Sequence, residues 1–323
     1  MADPMNGAIR LENIEQSAQQ RAFSAWGEAF GLDERELSVA SEGNSRVERY
    51  DAVFLAGAKK FLINFRAQAG GILDIPAIQA ELGDLRARGD LVGLGKKEEE
   101  ITRHFQSVIS SYGYESATHH PKNILESKKM NCVGASLIGG LLLKEVGITC
   151  VLAGAGSHVF LVVTTSDERV LWQDMQDGKE QPKLENGEIT ADAMVDVKPS
   201  DVISFSRQPT MGGLTFTVKK DFWKDKPVTL YPFMDGVEEM ELVNTGFEFN
   251  RAGRYLEAKE VLEVAAEKYS GAADAHLGLA KALKGLGHYV ESIAECRKVL
   301  EIDPNYAYVR DIEIPEIEKL AAQ

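Results

Sequence analysis

The stretch Asn131-Cys132-Val133-Gly134-Ala135-Ser136-Leu137-Ile138 decides how the chain is read. A cysteine stands where an apolar run begins, and the run continues through Leu141, Leu142 and Leu143 to Val146, where Gly147 ends it. Apolar residues all round predict a helix buried in the middle of its domain. The small residues near its start allow another element to lie close. Ile148 to Ala153 then reads as a strand, Gly154 to Ser157 as a tight turn, and His158 to Thr165 as a second strand with a continuous apolar centre. Ser166-Asp167-Glu168 turns the chain into a third strand, Arg169 to Asp174. Short turns between successive strands imply an antiparallel sheet packed on the helix. The fold class expected is α+β.

The same stretch carries three reactive side chains in a meaningful order. Cys132 opens a helix, whose unpaired N–H groups and partial positive charge stabilise a thiolate. Lys128 and Lys129 add positive charge if they point inward. Those N–H groups also suit the oxyanion that forms when a carbonyl is attacked. His158 would take the thiol proton and return it to a leaving amine. Asp174 would fix the imidazole tautomer. Trp172 shares a strand face with Asp174 and would shield the pair from water. Singly, each residue has a plainer reading: a small buried thiol, a strand-edge histidine, a turn aspartate. Jointly, on one helix and two successive strands, they fit a nucleophilic site. Cys150 and Cys296 read as small buried apolar residues.

With those residues in view, Ile101 to Asp174 resembles the transglutaminase-like cysteine hydrolase superfamily. The matching features are Asn131-Cys132 at the head of the helix, the Gly147-Ile148 step, Ser157-His158-Val159-Phe160 opening a strand, and Trp172-Gln173-Asp174. The resemblance implies a papain-type core and acyl transfer at amides through a thioester on Cys132, with water or an amine as acceptor. The family commonly has glycine before the cysteine, where Asn131 stands here. Asn131 and Tyr114 are candidates to complete the oxyanion hole, and Asn131 and Trp172 to contact substrate. No cofactor is implied.

Upstream, residues 1–95 read as a helical region. Ala22, Phe23, Trp26 and Phe30 share one face, with Gly31 as a stop. Ser38 to Arg46 reads as a loop, Tyr50 to Phe65 as helix, and Gly70-Gly71 as a break. Pro76 suits the first turn of a helix running to about Arg88, and Gly89, Gly93 and Gly95 read as a flexible link. The charge run Lys96 to Glu100 begins the next helix, with Ile101, Phe105, Val108 and Ile109 as its buried stripe. A core domain is expected over 96–235. Its end is weakly patterned: Leu184 to Asp192 reads as loop with Thr190 as a possible cap, and Leu214 to Val218 with Val228 to Tyr231 as a hairpin.

From Glu239 the chain repeats itself. Gly253-Arg254-Tyr255-Leu256-Glu257-Ala258 and Gly287-His288-Tyr289-Val290-Glu291-Ser292 match at an offset of 34 (287 − 253). That is the tetratricopeptide period, and the pattern resembles that family over about Glu239 to Asn305. Small residues let paired helices touch, aromatics fill the gap between them, and Pro304 ends the last helix. The resemblance implies a concave helical surface for peptides or proteins. Two units fall short of the usual minimum of three. They are therefore expected to dock on the rest of the chain and to be capped by a helix from about Pro315, the whole region spanning 236–323.

The totals narrow the partners. A formal charge of −14 repels phosphate backbones, which argues against nucleic acid. No stretch reaches the ~20 apolar residues a membrane span needs. Met1 to Arg21 lacks the basic start and apolar core of a secretion signal. Three distant cysteines argue against a disulfide framework and for a reducing, cytoplasmic setting. His119-His120 are adjacent, and adjacent side chains are expected to point apart, so no metal is assigned. Two functions follow. One is a cysteine hydrolase or acyltransferase that recruits protein substrates through its repeats. The other is a catalytically silent protein-binding adaptor.

Overall fold

The computed structural model describes residues 4–116, 118–155, 158–173, 175, 195–196, 202–207, 214–218 and 226–323. The chain divides into two compact units, Gly57–Val237 and the pair of end segments Met1–Ala56 with Glu238–Gln323.

The N-terminal helices are α1 (Pro4–Ala29), α2 (Glu34–Ala40) and α3 (Arg46–Ala69). The loop expected from Ser38 starts three residues late. Asp33 and Glu36 form a reciprocal capping box, with N–H to carboxylate distances of 2.9 and 2.8 Å, and this carries α2 to Ala40. Gly31 ends the first helical passage in a left-handed conformation at φ +72°.

In the unit Gly57–Val237, α4 (Ile75–Ala87) and α5 (Leu91–Ile109) follow. The flexible link expected over Gly89 to Gly95 is not a link. Asp90 accepts a 2.8 Å bond from the Gly93 N–H and starts α5, which runs straight through Gly93 and Gly95. Gly95 serves close packing instead, because a Cβ there would fall 2.0 Å from Asp167 Oδ1. The Ser166–Glu168 turn is held against α5 by the Glu98 carboxylate, which accepts from Ser166 N at 2.6 Å and from its Oγ at 2.7 Å. Arg169 adds ion pairs to Asp167 and Glu99.

A two-stranded parallel ladder pairs β1 (Gly113–Tyr114) with β2 (Lys129–Met130), and the short helix α6 (Pro121–Ser127) lies between them in sequence. Then comes α7 (Cys132–Glu145), buried from Val133 through Leu143. Its glycines are where neighbours approach: a Cβ on Gly134 would meet Ile124 at 2.4 Å, on Gly139 Met175 at 2.7 Å, and on Gly140 the Phe233 ring at 2.1 Å. Gly147, at φ +75°, ends the passage.

The sheet contains β3 (Thr149–Ala155), β4 (His158–Thr164), β5 (Val170–Gln173), β6 (Val195–Asp196), β7 (Val202–Arg207), β8 (Leu214–Val218) and β9 (Lys226–Tyr231). Its order is β6-β5-β4-β3-β9-β8-β7, every pairing antiparallel. The three expected strands stand side by side, with Val151 opposite Val162 and Leu161 opposite Gln173. The expected hairpin is present as β8 and β9, with Leu214 opposite Leu230, and β9 closes onto β3. α7 lies against β3 and β4 on one side and α5 on another. The loop and cap read at Leu184 to Asp192 lie outside the described residues.

The repeat helices are α8 (Phe233–Arg251), α9 (Tyr255–Lys268), α10 (Ala273–Gly285) and α11 (Tyr289–Ile302), followed by a π-turn at Val309–Glu313 and α12 (Ile314–Ala321). The repeat positions behave as the pattern requires. Gly253 and Gly287 both adopt left-handed backbones, at φ +71° and +80°, to turn between helices. Gly246 and Gly278 admit Leu262, since a Cβ on either would fall 2.3 or 2.8 Å from it. Ser292 Oγ donates to the Ala280 carbonyl at 2.7 Å. Ile317 of α12 joins Cys296, Val299 and Val309 in one apolar cluster. On the other side α1 packs along α9, and its Trp26 is buried against Tyr50 of α3. No helix among the described residues is long and apolar enough to cross a membrane.

Candidate functional site

Cys132 is the first residue of α7 because Asn131 caps the helix. The Asn131 carboxamide oxygen accepts from the N–H groups of Val133 and Gly134 at 3.0 and 3.1 Å. Its Nδ2 donates to the Ser116 carbonyl at 3.2 Å, and its backbone N–H donates to the Thr118 carbonyl at 2.8 Å. The cap is thus pinned to the segment before α6, and the thiol is left half-buried at the head of a fully buried helix. The capping occupies two of the amides that the sequence offered to an oxyanion. Among the described residues, the N–H of Cys132 itself makes no backbone bond.

The β1–β2 ladder sets Tyr114 opposite Met130, two residues before the cysteine. The Tyr114 side chain is mostly exposed, at 59%. Partial burial and the neighbouring Cys132 charge push its phenol above the ordinary value. Lys129 pairs with Glu115 at 3.5 Å. His158 is the first residue of β4, partly buried, with its ring 6.1 Å from that of Phe160. Because α7 packs on β4, the elements headed by Cys132 and His158 are partners. Trp172 lies in β5 opposite Val162; its side chain lies outside the described residues, as does Asp174.

Of the other two thiols, Cys296 is buried as expected, whereas Cys150 is half-buried. Burial pushes both the Cys150 and Cys296 thiols up to about 12. The expectation that His119 and His120 point apart is corrected. Their rings lie 4.0 Å apart, tilted by 50°, although the chain is extended at His120, the residue before Pro121.

The repeats hold a second candidate surface, which the sequence reading did not resolve into residues. A groove of about 740 Å³ runs between α8, α10 and the segment after α11. Asn244, Asn250, Lys281 and Lys284 line it, with Tyr308 at one wall. Lys281 Nζ sits 5.6 Å from the Phe247 ring centroid and 5.1 Å from that of Tyr308, and makes no ion pair among the described residues. Lys284 is shared between Glu313 and Glu316 at 3.0 and 2.9 Å. Asn250 donates to the Gly278 carbonyl at 2.9 Å, while its own Oδ1 is buried with no partner. The signal available in the sequence was two lysines three residues apart on the helix face opposite Leu279 and Leu283.

A tetratricopeptide-repeat family model matches residues 250–313. No curated protein and no solved structure matches the chain. The C-terminal helices therefore form a helical repeat array consistent with tetratricopeptide repeats.

Proposed function

We propose that the chain binds a protein partner through the repeat groove, and that the groove selects an acidic, extended peptide segment. The observation that carries this reading is Lys281: a cation held between two aromatic rings, facing a groove, without a carboxylate of its own. An acidic side chain would give it a charge-assisted bond, and Asn244 offers an amide to a peptide backbone. Glu316, exposed on α12, already supplies one such carboxylate to Lys284. The test is binding of fluorescent Asp/Glu-rich peptides against charge-neutral controls. Lys281→Glu should weaken the acidic peptide by about tenfold or more, and added salt should weaken it further. Equal binding of the neutral peptides would end this reading.

A second reading concerns the other unit and is favoured by the placement of Cys132. There the chain is a cysteine-dependent hydrolase or acyltransferase of transglutaminase-like type, with the papain-type core that the resemblance implies. Cys132 attacks an amide carbonyl, and its own N–H faces the developing oxyanion. His158 takes the thiol proton and delivers it to the leaving amine, and Asp174 orients the imidazole. Asn131 acts by fixing the helix start rather than by touching substrate, because its carboxamide is already bonded at both ends. Tyr114 completes the oxyanion hole, and Trp172 contacts the substrate. Water or an amine then releases the acyl group. Incubation with a peptide-amide library followed by mass spectrometry should find an acyl adduct on Cys132 that disappears in Cys132→Ala. A chain that never carries an adduct, under conditions where iodoacetamide labels Cys132, is the adaptor alone.

A further inference from the structure

The repeat groove already holds an acidic side chain of its own. Lys281 and Lys284 are neighbours on α10, because side chains three residues apart share a helix face. Their surroundings differ. Lys281 lies over the Phe247 and Tyr308 rings and makes no ion pair among the described residues. Lys284 is held by two carboxylates, Glu313 at 3.0 Å and Glu316 at 2.9 Å.

Those two carboxylates are not equivalent. The Glu313 side chain is 2% exposed, and its second oxygen accepts from the Tyr308 hydroxyl at 2.6 Å, so it belongs to the fold. The Glu316 side chain is 59% exposed and reaches Lys284 from α12. One carboxylate balances one ammonium. The second makes this end of the groove net negative, and like charge repels the acidic segment that Lys281 attracts. Glu316 also sits where a partner's carboxylate would have to sit to bond Lys284.

The hold on Glu316 is slight. An ion pair this exposed contributes little. Helix α12 has eight residues, too few to persist as a helix alone, and of these only Ile317 is buried. It follows directly on the π-turn Val309–Glu313, a geometry frequent at functional sites. A competing acid can therefore displace Glu316 and leave Glu313 in place.

We propose that α12 is an autoinhibitory strap on the repeat groove, with Glu316 a displaceable stand-in for an acidic side chain of the partner. The proposal rests on the reading that the groove takes an acidic segment. It adds that the chain by itself holds that site in a weakened state, from which the partner must expel Glu316 to engage Lys284.

The experiment measures binding of fluorescein-labelled hexaglutamate to the full chain by anisotropy, with hexaglutamine as the neutral control. Glu316→Gln should tighten hexaglutamate by about threefold to fivefold, the scale of one exposed ion pair. Glu318→Gln removes an exposed charge from the same helix that is not bonded to Lys284, and should give no such gain. Lys284→Met placed in the Glu316→Gln background should cancel the gain, since the freed ammonium is its source. If hexaglutamate binds the parent and Glu316→Gln leaves its affinity unchanged, the strap is overturned while the groove reading stands. An equal gain from Glu318→Gln, or a gain that survives Lys284→Met, overturns it as well. If neither the parent nor Glu316→Gln prefers hexaglutamate to hexaglutamine, the groove reading falls and the strap falls with it.

Discussion

At the scale of single residues, environment separates the three thiols more sharply than sequence position does. Burial pushes the Cys150 and Cys296 thiols up to about 12, although Cys150 keeps the same intermediate exposure as Cys132, and Cys132 stands at a helix start. Iodoacetamide at neutral pH should label Cys132 at least about 100-fold faster than either of the others, since the thiolate is the reacting species. Peptide mapping after timed quenching measures this, and comparable rates for all three would remove Cys132 from consideration as a nucleophile. Sequence placed Cys132 at the helix start because the apolar run begins there. It could not show that Asn131 spends its carboxamide on the cap, because that depends on the Ser116 carbonyl arriving from another segment. Glycines tell the same story. Gly140 reads as a helix-weakening residue, yet Phe233 fills the space its Cβ would take. Gly140→Ala should cost about 1–3 kcal/mol by overpacking. Chemical denaturation would show it, and a neutral result would mean that the ring has room to move.

At the scale of elements, the buried helix and its strands were legible because their pattern is local: an apolar run of helical length, then runs bounded by turns. The glycine-rich start of α5 reads as a link because glycine usually breaks helices, and two local signals outweigh that tendency. Asp90 is a cap three residues before Gly93, and Gly95 stands where the Asp167 turn must approach. Asp90→Ala should therefore destabilise the unit by about 1 kcal/mol, visible as a lowered melting temperature. The capping box Asp33 with Glu36 was equally present in the sequence and shortened the loop after it. The short strand β6 and the edge strand β7 follow weakly patterned sequence and take their place from pairing with β5 and β8. Helix α8 carries a pH dependence that no local pattern announces. Burial, with the Asp274 charge, pushes the Glu239 carboxyl up to about 8, and one of its oxygens is buried without a partner. A carboxyl whose proton is held more tightly in the folded than in the unfolded chain stabilises fully below the ordinary value of 4.5. That contribution is lost as pH rises through about 8. Glu239→Gln should melt like the parent near pH 4.5 and above it near pH 8.5. Glu238, buried beside Asp51 and also pushed up to about 8, should leave part of the dependence in place.

At the scale of the whole molecule, the feature least visible in sequence is that the two ends of the chain form one unit. The repeat announced itself by a 34-residue period, but two units need a third pair of helices to bury their outer faces. The missing neighbour is α1, which packs along α9, so that α1, α9, α10, α11 and α12 follow one another as successive contacts. No local signal could reveal this, because the partners are separated by more than 200 residues: Arg21 pairs with Glu257 at 2.9 Å, and Arg46 reaches Glu263 and Glu267 at 2.8 and 3.0 Å. Those ion pairs are partly exposed and contribute little alone. The apolar seam matters more. Trp26 and Phe30 of α1 are buried against Tyr50 and Phe54 of α3, and each such side chain is worth about 1.5–3 kcal/mol. Removing residues 1–32 therefore deletes about 5 kcal/mol or more, a large fraction of the 5–15 kcal/mol that holds a typical domain together. The truncated chain should lose its cooperative repeat transition in circular dichroism, and a synthetic peptide spanning residues 4–32 should restore part of it. If the truncated chain keeps the parent's melting temperature, the repeats stand by themselves, and α1 is a passenger on α9 rather than the third member of the stack.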